Sequence, residues 1–538
     1  MKLNNNGLKD RKEWEAAGYK LPKFDREAVT KATKENPFWV HFGPGNIFRA
    51  FQANVVQELL DAGVLDRGLI AADGYDYEVI TESYRPYDDN AILVTLKADG
   101  NVEKTVVESV VESCILDSEN EVEYNRMKEI FCKDSLQMVS FTTTEKSYIV
   151  VGGDGNLLPE IAEDCKKGPE KPMSFLGKLT ALVYARYQAG EKPVALVSMD
   201  NCSHNGDRLY AAVDTIAKKW AENGLVSDGF VSYINDKSKV TFPWSMIDKI
   251  TPRPDEDIKA MLEKDGAEDM NIVITGKSTY MAPFVNAEEC QYLVIEDAFP
   301  NGRPELEKGG IIFTDRETVD KVERMKVCTC LNPLHTALAI FGCVLGHTKI
   351  SEEMKDPQLK KLVETIGYVE GLPVVVDPKV LDLHAFIDTV IKERLVNPFI
   401  PDTPQRIARD TSQKLSIRFG ETVKAYVASE ELDVADLKLI PLVFAGWMRY
   451  LMQIDDNGNA FELNPDLLKD EVCPIVEGIK LGEVIDVESK LRPLLQNEKI
   501  WGVDLYKIGM VELVCKYFAE MIEGVGAVRK TLIKYVGE

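Results

Sequence analysis

Residues 37–52, PFWVHFGPGNIFRAFQ, constrain the fold more than any other stretch of this chain. An apolar run ending at Phe42 meets Gly43-Pro44-Gly45, and apolar residues then recur at Ile47, Phe48, Phe51, Val55, Val56, Leu59 and Leu60. This pattern is a strand, a tight glycine turn and an amphipathic helix, which Gly63 can end. A second apolar run, RGLIAAD, finishes in Asp73. Strand, glycine turn, helix, strand and acid is the order of a nucleotide-binding βαβ unit. In such a unit the glycines let backbone approach a diphosphate, and the helix N-terminus supplies oriented N–H donors. The usual third glycine is replaced by Arg49, whose charge suits the diphosphate. Gly43, Gly45, Asn46, Ile47 and Arg49 are therefore the expected phosphate contacts. Asp73 is the expected acceptor for ribose hydroxyls, and a carboxylate there repels a 2′-phosphate and favours NAD over NADP. It lies 30 residues beyond Gly43, a longer interval than usual, and Asp76 is the alternative.

Further apolar runs follow at AILVTLK (91–97), LQMVSFTTT (136–144) and KPVALVSMDN (192–201). Each ends in polar residues suited to a strand's C-terminal edge, which adds Thr144 to the expected cofactor contacts. MSFLGKLTALVYARYQA (173–189) reads as a helix between strands. This alternation predicts a mostly parallel, doubly wound sheet with helices on both faces. QYLVIED (291–297) and GIIFTD (310–315) read as late strands. Beyond residue 316 the pattern turns to long helices, such as HTALAIFGCVLGH and LKLIPLVFAGWMRYLMQ. The expected architecture is α/β: a Rossmann-type domain over residues 1–310 and a mostly α-helical domain over 311–538.

The formal net charge of −24 opposes nucleic acid and anionic membrane surfaces. An anionic substrate would need a local cluster of Lys and Arg. No run of about 18 apolar residues suggests a transmembrane helix, and the N-terminus lacks the apolar core of a secretory signal. Ten scattered cysteines read as reduced thiols of a cytoplasmic protein. Cys328 and Cys330 form a lone C-x-C, weak as a metal motif, and read as small buried side chains.

KVCTCLNPLH (326–335) gathers Lys326, Asn332 and His335 within ten positions. Read plainly, Asn332-Pro333 is an N-cap followed by proline at the first helical position, and Lys326 ends the preceding helix. Asn201 lies in a turn rich in Asn and Gly, where a structural Asx-turn is the plain reading. Four segments nonetheless resemble one family in order and over most of the chain: HFGPGNIFRAFQ (41–52), SMDNCSHNGDRL (198–209), FPWSMIDKITPRP (242–254) and KVCTCLNPLHTALAIFGCVLGH (326–347). NPFIPDTPQRIARDTSQKL (397–415) is a looser fifth. The family is that of the polyol-specific long-chain dehydrogenases, or mannitol dehydrogenases.

The resemblance implies a metal-independent, NAD-linked oxidoreductase that interconverts a sugar-derived ketone and its secondary alcohol. It implies Lys326 as acid/base, Asn201 and Asn332 as amide donors to the reacting oxygen, and His335 and Glu323 as orienting and proton-conducting groups. Asp248 and Lys249 enter through the third segment alone. Arg406, Arg409 and Lys414 are candidates for a carboxylate clamp, since Arg binds carboxylates in bidentate fashion. Family members acting on mannonate have similar TCLNPLH segments, so the expected reaction is D-fructuronate + NADH to D-mannonate + NAD. Mannitol 2-dehydrogenase, tagaturonate reductase and a non-catalytic NAD-binding regulator are the alternatives. The expected partner is a small sugar acid or polyol, and the expected assembly a monomer or small homo-oligomer.

One departure stands out. The family leaves four residues between lysine and asparagine, and this chain has five, Val327 to Leu331. Six steps along a continuous α-helix rotate Lys326 by about 240° from Asn332. The catalytic reading thus expects the helix to break between them.

Overall fold

The computed structural model describes residues 1–537. Its central sheet holds β1 (Trp39–Phe42), β2 (Leu69–Asp73), β3 (Val110–Ile115), β4 (Met138–Phe141), β5 (Val194–Ser198) and β6 (Val240–Thr241). All neighbouring pairs are parallel, and the spatial order is β3-β2-β1-β4-β5-β6. That is the Rossmann order, in which strand succession reverses between β1 and β4 and ligands bind beyond the strands' carboxyl ends.

The strands read as unbroken apolar runs because both faces are covered. β1, β2, β4 and β5 are buried at every position. Side chains alternate across the sheet. Trp39 packs with Val55, Val56, Leu59 and Leu60 of α1 (Ala53–Asp61). Its neighbour Val40 packs on the other face with Leu179 and Leu182 of α2 (Phe175–Gln188) and Leu209 and Val213 of α3 (Asn205–Glu222).

AILVTLK is a strand, Ala91–Leu96, but it does not join this sheet. It pairs antiparallel with Val102–Val107 and parallel with Phe284–Glu288 in a separate four-stranded sheet. The reason is local: Asp99-Gly100 makes a tight hairpin, with Gly100 at φ +89°, and so selects the next strand as partner. β3, unforeseen in the sequence, fills the edge instead. The strand Ile312–Thr314 pairs in parallel with Tyr292–Glu296. The first compact unit accordingly extends to Asp320, and the second runs from Lys321 onward together with Ala98–Gly100.

In the second unit, α5 (Asn332–Leu345) is buried on almost every side, following α4 (Arg316–Met325) in the chain. Leu334, Leu338, Phe341 and Val344 share a core with Leu442, Val443, Phe444 and Trp447 of α6 (Leu439–Leu451). Gly446 permits this packing, because a Cβ there would sit 2.6 Å from the Phe341 ring. The run Arg316–Leu345 is long and apolar enough to cross a membrane, but 78% of its most apolar window is buried within the protein. Its apolar side chains are core.

Five stretches adopt the wider π conformation: Phe48–Gln52, Lys326–Cys330, Ile366–Gly371, Val390–Arg394 and Ser416–Gly420. Such turns are rare and gather at functional sites. Four of them carry a buried charged residue, Arg49, Lys326, Glu370 and Arg394 respectively, and the fifth carries the half-buried Arg418.

Candidate active site

The glycine turn follows β1. Gly43 sits at φ +75°, and a Cβ there would meet Thr142 O at 2.5 Å and Thr143 Cγ2 at 2.9 Å, so only glycine fits. Gly45 differs: its Cβ would meet nothing nearer than Gly43 O at 3.9 Å. The space above the turn is therefore open, and the helix that starts at Asn46 presents its first N–H groups there. Gly45, Asn46 and Ile47 fit a diphosphate on these grounds. Arg49 does not face that space. It is 2% exposed, donating from Nη1 to Ala282 O at 2.6 Å and from Nη2 to Asn46 Oδ1 at 2.9 Å. Tyr84 donates to Pro44 O at 2.6 Å. Arg49 thus braces the turn from inside, because its π turn directs the side chain into the core.

Asp73 ends β2, with Oδ1 accepting from the backbone of Tyr75 and Asp76, both at 2.7 Å. Among the described residues none donates to Oδ2, which suits a ribose hydroxyl. Burial pushes the carboxyl up to about 6. Asp76 instead accepts from Thr275 Oγ1 at 2.6 Å. His41 is core: its ring nitrogens contact Ser140 Oγ at 2.7 Å and Thr142 Oγ1 at 2.8 Å, and burial lowers its pKa to about 3.

At the end of β5 the D-N-x-x-x-N-G turn divides into two roles. Asn205 Nδ2 donates to Asp200 O and Ser245 O, each at 3.0 Å, and Oδ1 accepts from Ser245 N at 3.0 Å. This stitches the start of α3 to the strand Ser245–Asp248 and presents Asn201 at the surface of the turn. Asp200, which sequence reasoning passed over, accepts from Thr144 N at 2.8 Å, Thr143 N at 3.1 Å and the Tyr148 hydroxyl. It holds Thr144 at φ +99° and ψ 153°, a conformation otherwise nearly confined to glycine. The available signal was an acid directly before Asn201. Lys249 is buried and tied to Glu288 O at 2.8 Å and Gln291 Oε1 at 2.9 Å. Asp248, also buried, ends its strand opposite Tyr292.

In the second unit the helical run is interrupted between Lys326 and Asn332, as the catalytic reading expects: Leu331 sits at φ −127° and ψ −62°, outside the helical range. Leu331 N donates to Lys326 O at 3.2 Å, an i→i+5 bond that closes the π turn Lys326–Cys330. The wider turn takes up one residue more than an α-helical turn, and the non-helical Leu331 then resets the register before Asn332. Lys326 is 3% exposed, with Glu323 half-buried one turn earlier. Leu331, not Asn332, occupies the N-cap of α5, and among the described residues none hydrogen-bonds the Asn332 carboxamide. That group is available to a ligand, as capping would have prevented.

His335 Nε2 lies 3.5 Å from Asp402 Oδ2, close enough for charge to be felt but without hydrogen-bond geometry. Burial lowers its pKa to about 4, partly countered by Asp402, while Arg418, Arg406 and Arg394 lower it further. The imidazole is neutral at pH 7. Arg406 pairs with Asp402 Oδ1, and Arg409 is exposed. Lys414 donates to Ile407 O at 3.4 Å and to Arg409 O. Burial, with the Arg418 charge, brings its pKa down to about 8. Of the three expected clamp cations, Arg406 and Lys414 thus gather by charge with Arg418, and Arg409 does not. Among the described residues no set of three His, Cys, Asp or Glu could hold a metal.

The family model for the mannitol dehydrogenase Rossmann domain matches residues 38–308, and that for the mannitol dehydrogenase C-terminal domain matches 318–522. The chain belongs to the mannitol dehydrogenase family. Membership makes it an NAD-dependent oxidoreductase acting on CH–OH groups. A Thermotoga maritima protein named D-mannonate oxidoreductase is 52% identical, over 100% of this chain and 99% of its own. An uncharacterised oxidoreductase of Escherichia coli is 29% identical over 90% of each. Among solved structures, Pseudomonas fluorescens mannitol 2-dehydrogenase, in ternary complex with NAD and D-mannitol, matches with a TM-score of 0.69 at 25% identity over 99% of both chains.

Proposed function

We propose that this enzyme interconverts D-fructuronate and D-mannonate. The observation that carries this reading is the 52% identity to a D-mannonate oxidoreductase along the whole of both chains. A gathering of Arg406, Lys414 and Arg418 in a chain of net charge −24 supports an acidic substrate.

When bound, the nicotinamide supplies or accepts the hydride, and the protein supplies position and electrostatics. Gly45, Asn46 and Ile47 hold the diphosphate and Asp73 the ribose. Lys326 gives a proton to the ketone oxygen in reduction and takes it back in oxidation. Asn201 and Asn332 donate amide N–H groups to that oxygen as it becomes an alkoxide. The Asp402 carboxylate beside Nε2 favours the proton on that nitrogen, leaving Nδ1 of a neutral His335 to accept from a substrate hydroxyl. Glu323 carries protons between Lys326 and solvent.

The test is NADH oxidation with D-fructuronate, D-tagaturonate, D-fructose and D-fructose 6-phosphate. The expected result is the highest kcat/KM with D-fructuronate. Turnover of fructose alone would overturn the uronate reading and leave a mannitol 2-dehydrogenase. Tight NADH binding without turnover of any sugar would leave a non-catalytic regulator.

A further inference from the structure

Arg418 lies in the π turn Ser416–Gly420, just beyond the segment 397–415 that carries the loosest of the family motifs. Its Nη1 donates to Thr336 Oγ1, and that hydroxyl donates in turn to Asn332 O at 2.8 Å. The guanidinium is thereby fixed against the first turn of α5, which bears both Asn332 and His335. Thr336 is 1% exposed, so the anchoring end of this contact is sealed.

No carboxylate pairs with Arg418. The nearby acid, Asp402, is engaged by Arg406 and faces His335. The remaining guanidinium nitrogens have no acceptor among the described residues, yet none is a sealed, unpaired donor. Burial alone depresses the pKa, to about 10, with no acidic neighbour opposing it. Elsewhere in the chain, buried arginines are capped by the protein: Arg186 donates to five backbone carbonyl groups and Arg449 to three. Arg418 instead keeps an open planar fork beside the reactive residues, and its charge is felt by His335 and Lys414. A half-buried cation lacking a partner is costly unless an anion completes it. The planar fork matches a carboxylate in bidentate fashion.

We infer that Arg418 binds the carboxylate of the sugar acid and sets the preference for acidic over neutral ketoses. The inference rests on the proposed uronate reading. Arg418 meets the carboxylate and not the reacting oxygen, so it governs affinity and selection and leaves proton transfer to Lys326.

The experiment compares the parent enzyme with Arg418→Gln and Arg418→Lys. It measures kcat and KM for D-fructuronate and D-fructose, NADH affinity by fluorescence, and inhibition by D-mannonate. Losing charge-assisted hydrogen bonds is expected to cost about 10- to 100-fold in kcat/KM on fructuronate. Fructose turnover and NADH affinity should change by less than about threefold. Arg418→Lys keeps the charge and loses the fork, so it should recover only part of the loss; it also serves if the Gln variant folds poorly. An equal loss on both ketoses would overturn the inference, as would an unchanged fructuronate-to-fructose ratio. If the parent enzyme prefers a neutral ketose, the uronate reading itself fails. The Arg418 assignment then stands only if Arg418→Gln still weakens D-mannonate inhibition about tenfold, and falls if it does not.

Discussion

Asp200 offers a quantitative test of how the first unit holds its cofactor-facing edge. Its two carboxylate oxygens take the N–H groups of Thr143 and Thr144 and the hydroxyl of Tyr148, and the residue is 8% exposed. Asp200→Asn keeps the shape and removes one acceptor oxygen. One backbone N–H then faces an amide N–H and is left unpaired. Two hydrogen bonds to a charged acceptor contribute about 1.5–3 kcal/mol each. Relaxation of Thr144 from φ +99° returns about 1–3 kcal/mol of strain. The difference is a net loss of about 2–3 kcal/mol, borne by the loop that follows β4. At about 1.4 kcal/mol per factor of ten, NADH affinity should fall by up to roughly 30- to 150-fold. Fluorescence titration with NADH and calorimetric unfolding read the two effects separately. If Asp200→Asn bound NADH within threefold of the parent and unfolded at the same temperature, the loop would not depend on this carboxylate and the reasoning would be refuted.

Two further outcomes are expected. Lys326→Ala should lower kcat by roughly 10²- to 10⁴-fold with NADH binding retained, and near-normal turnover would remove Lys326 from the chemistry. Asp73 has its pKa raised to about 6, so its carboxylate is mostly ionised at pH 7 and mostly protonated at pH 5. NAD affinity should therefore weaken about tenfold between those values as the acceptor for the ribose hydroxyls is lost. Asp73→Ser should abolish that pH dependence and admit NADP; equal NAD affinity at pH 5 and pH 7 in the parent would refute it.

What was legible in the sequence was what local geometry enforces. Gly43 must be glycine because backbone crowds it, and β1, β2, β4 and β5 must be apolar because both faces are covered. Each constraint leaves a mark on its own residue type. Roles that depend on distant partners leave no such mark. Arg49 carries the charge of a phosphate ligand, and only the position of Ala282 O, 233 residues away, reveals it as a brace. Arg418 reads as one more cation on a solvated helix until its lack of an acid partner is seen in three dimensions. AILVTLK has the composition of a central strand, and the short turn through Ala98-Asp99-Gly100 after it decides that it pairs elsewhere. Asp200 matters through the backbone of a loop 56 residues earlier.

The widened turn at Lys326–Cys330 also determines what the chain can lose. Deleting one residue from an ordinary α-helix turns everything beyond it by about 100°. Such a deletion elsewhere in this helical run would swing His335 away from Asp402 and strip α5 from its core. A deletion inside Val327–Cys330 lets the i→i+5 bond close as i→i+4, with α5 still seated. A four-residue spacing and the five-residue spacing here are then two lengths of one scaffold. They differ in where the lysine's ammonium is delivered, and the histidine and asparagine stay put.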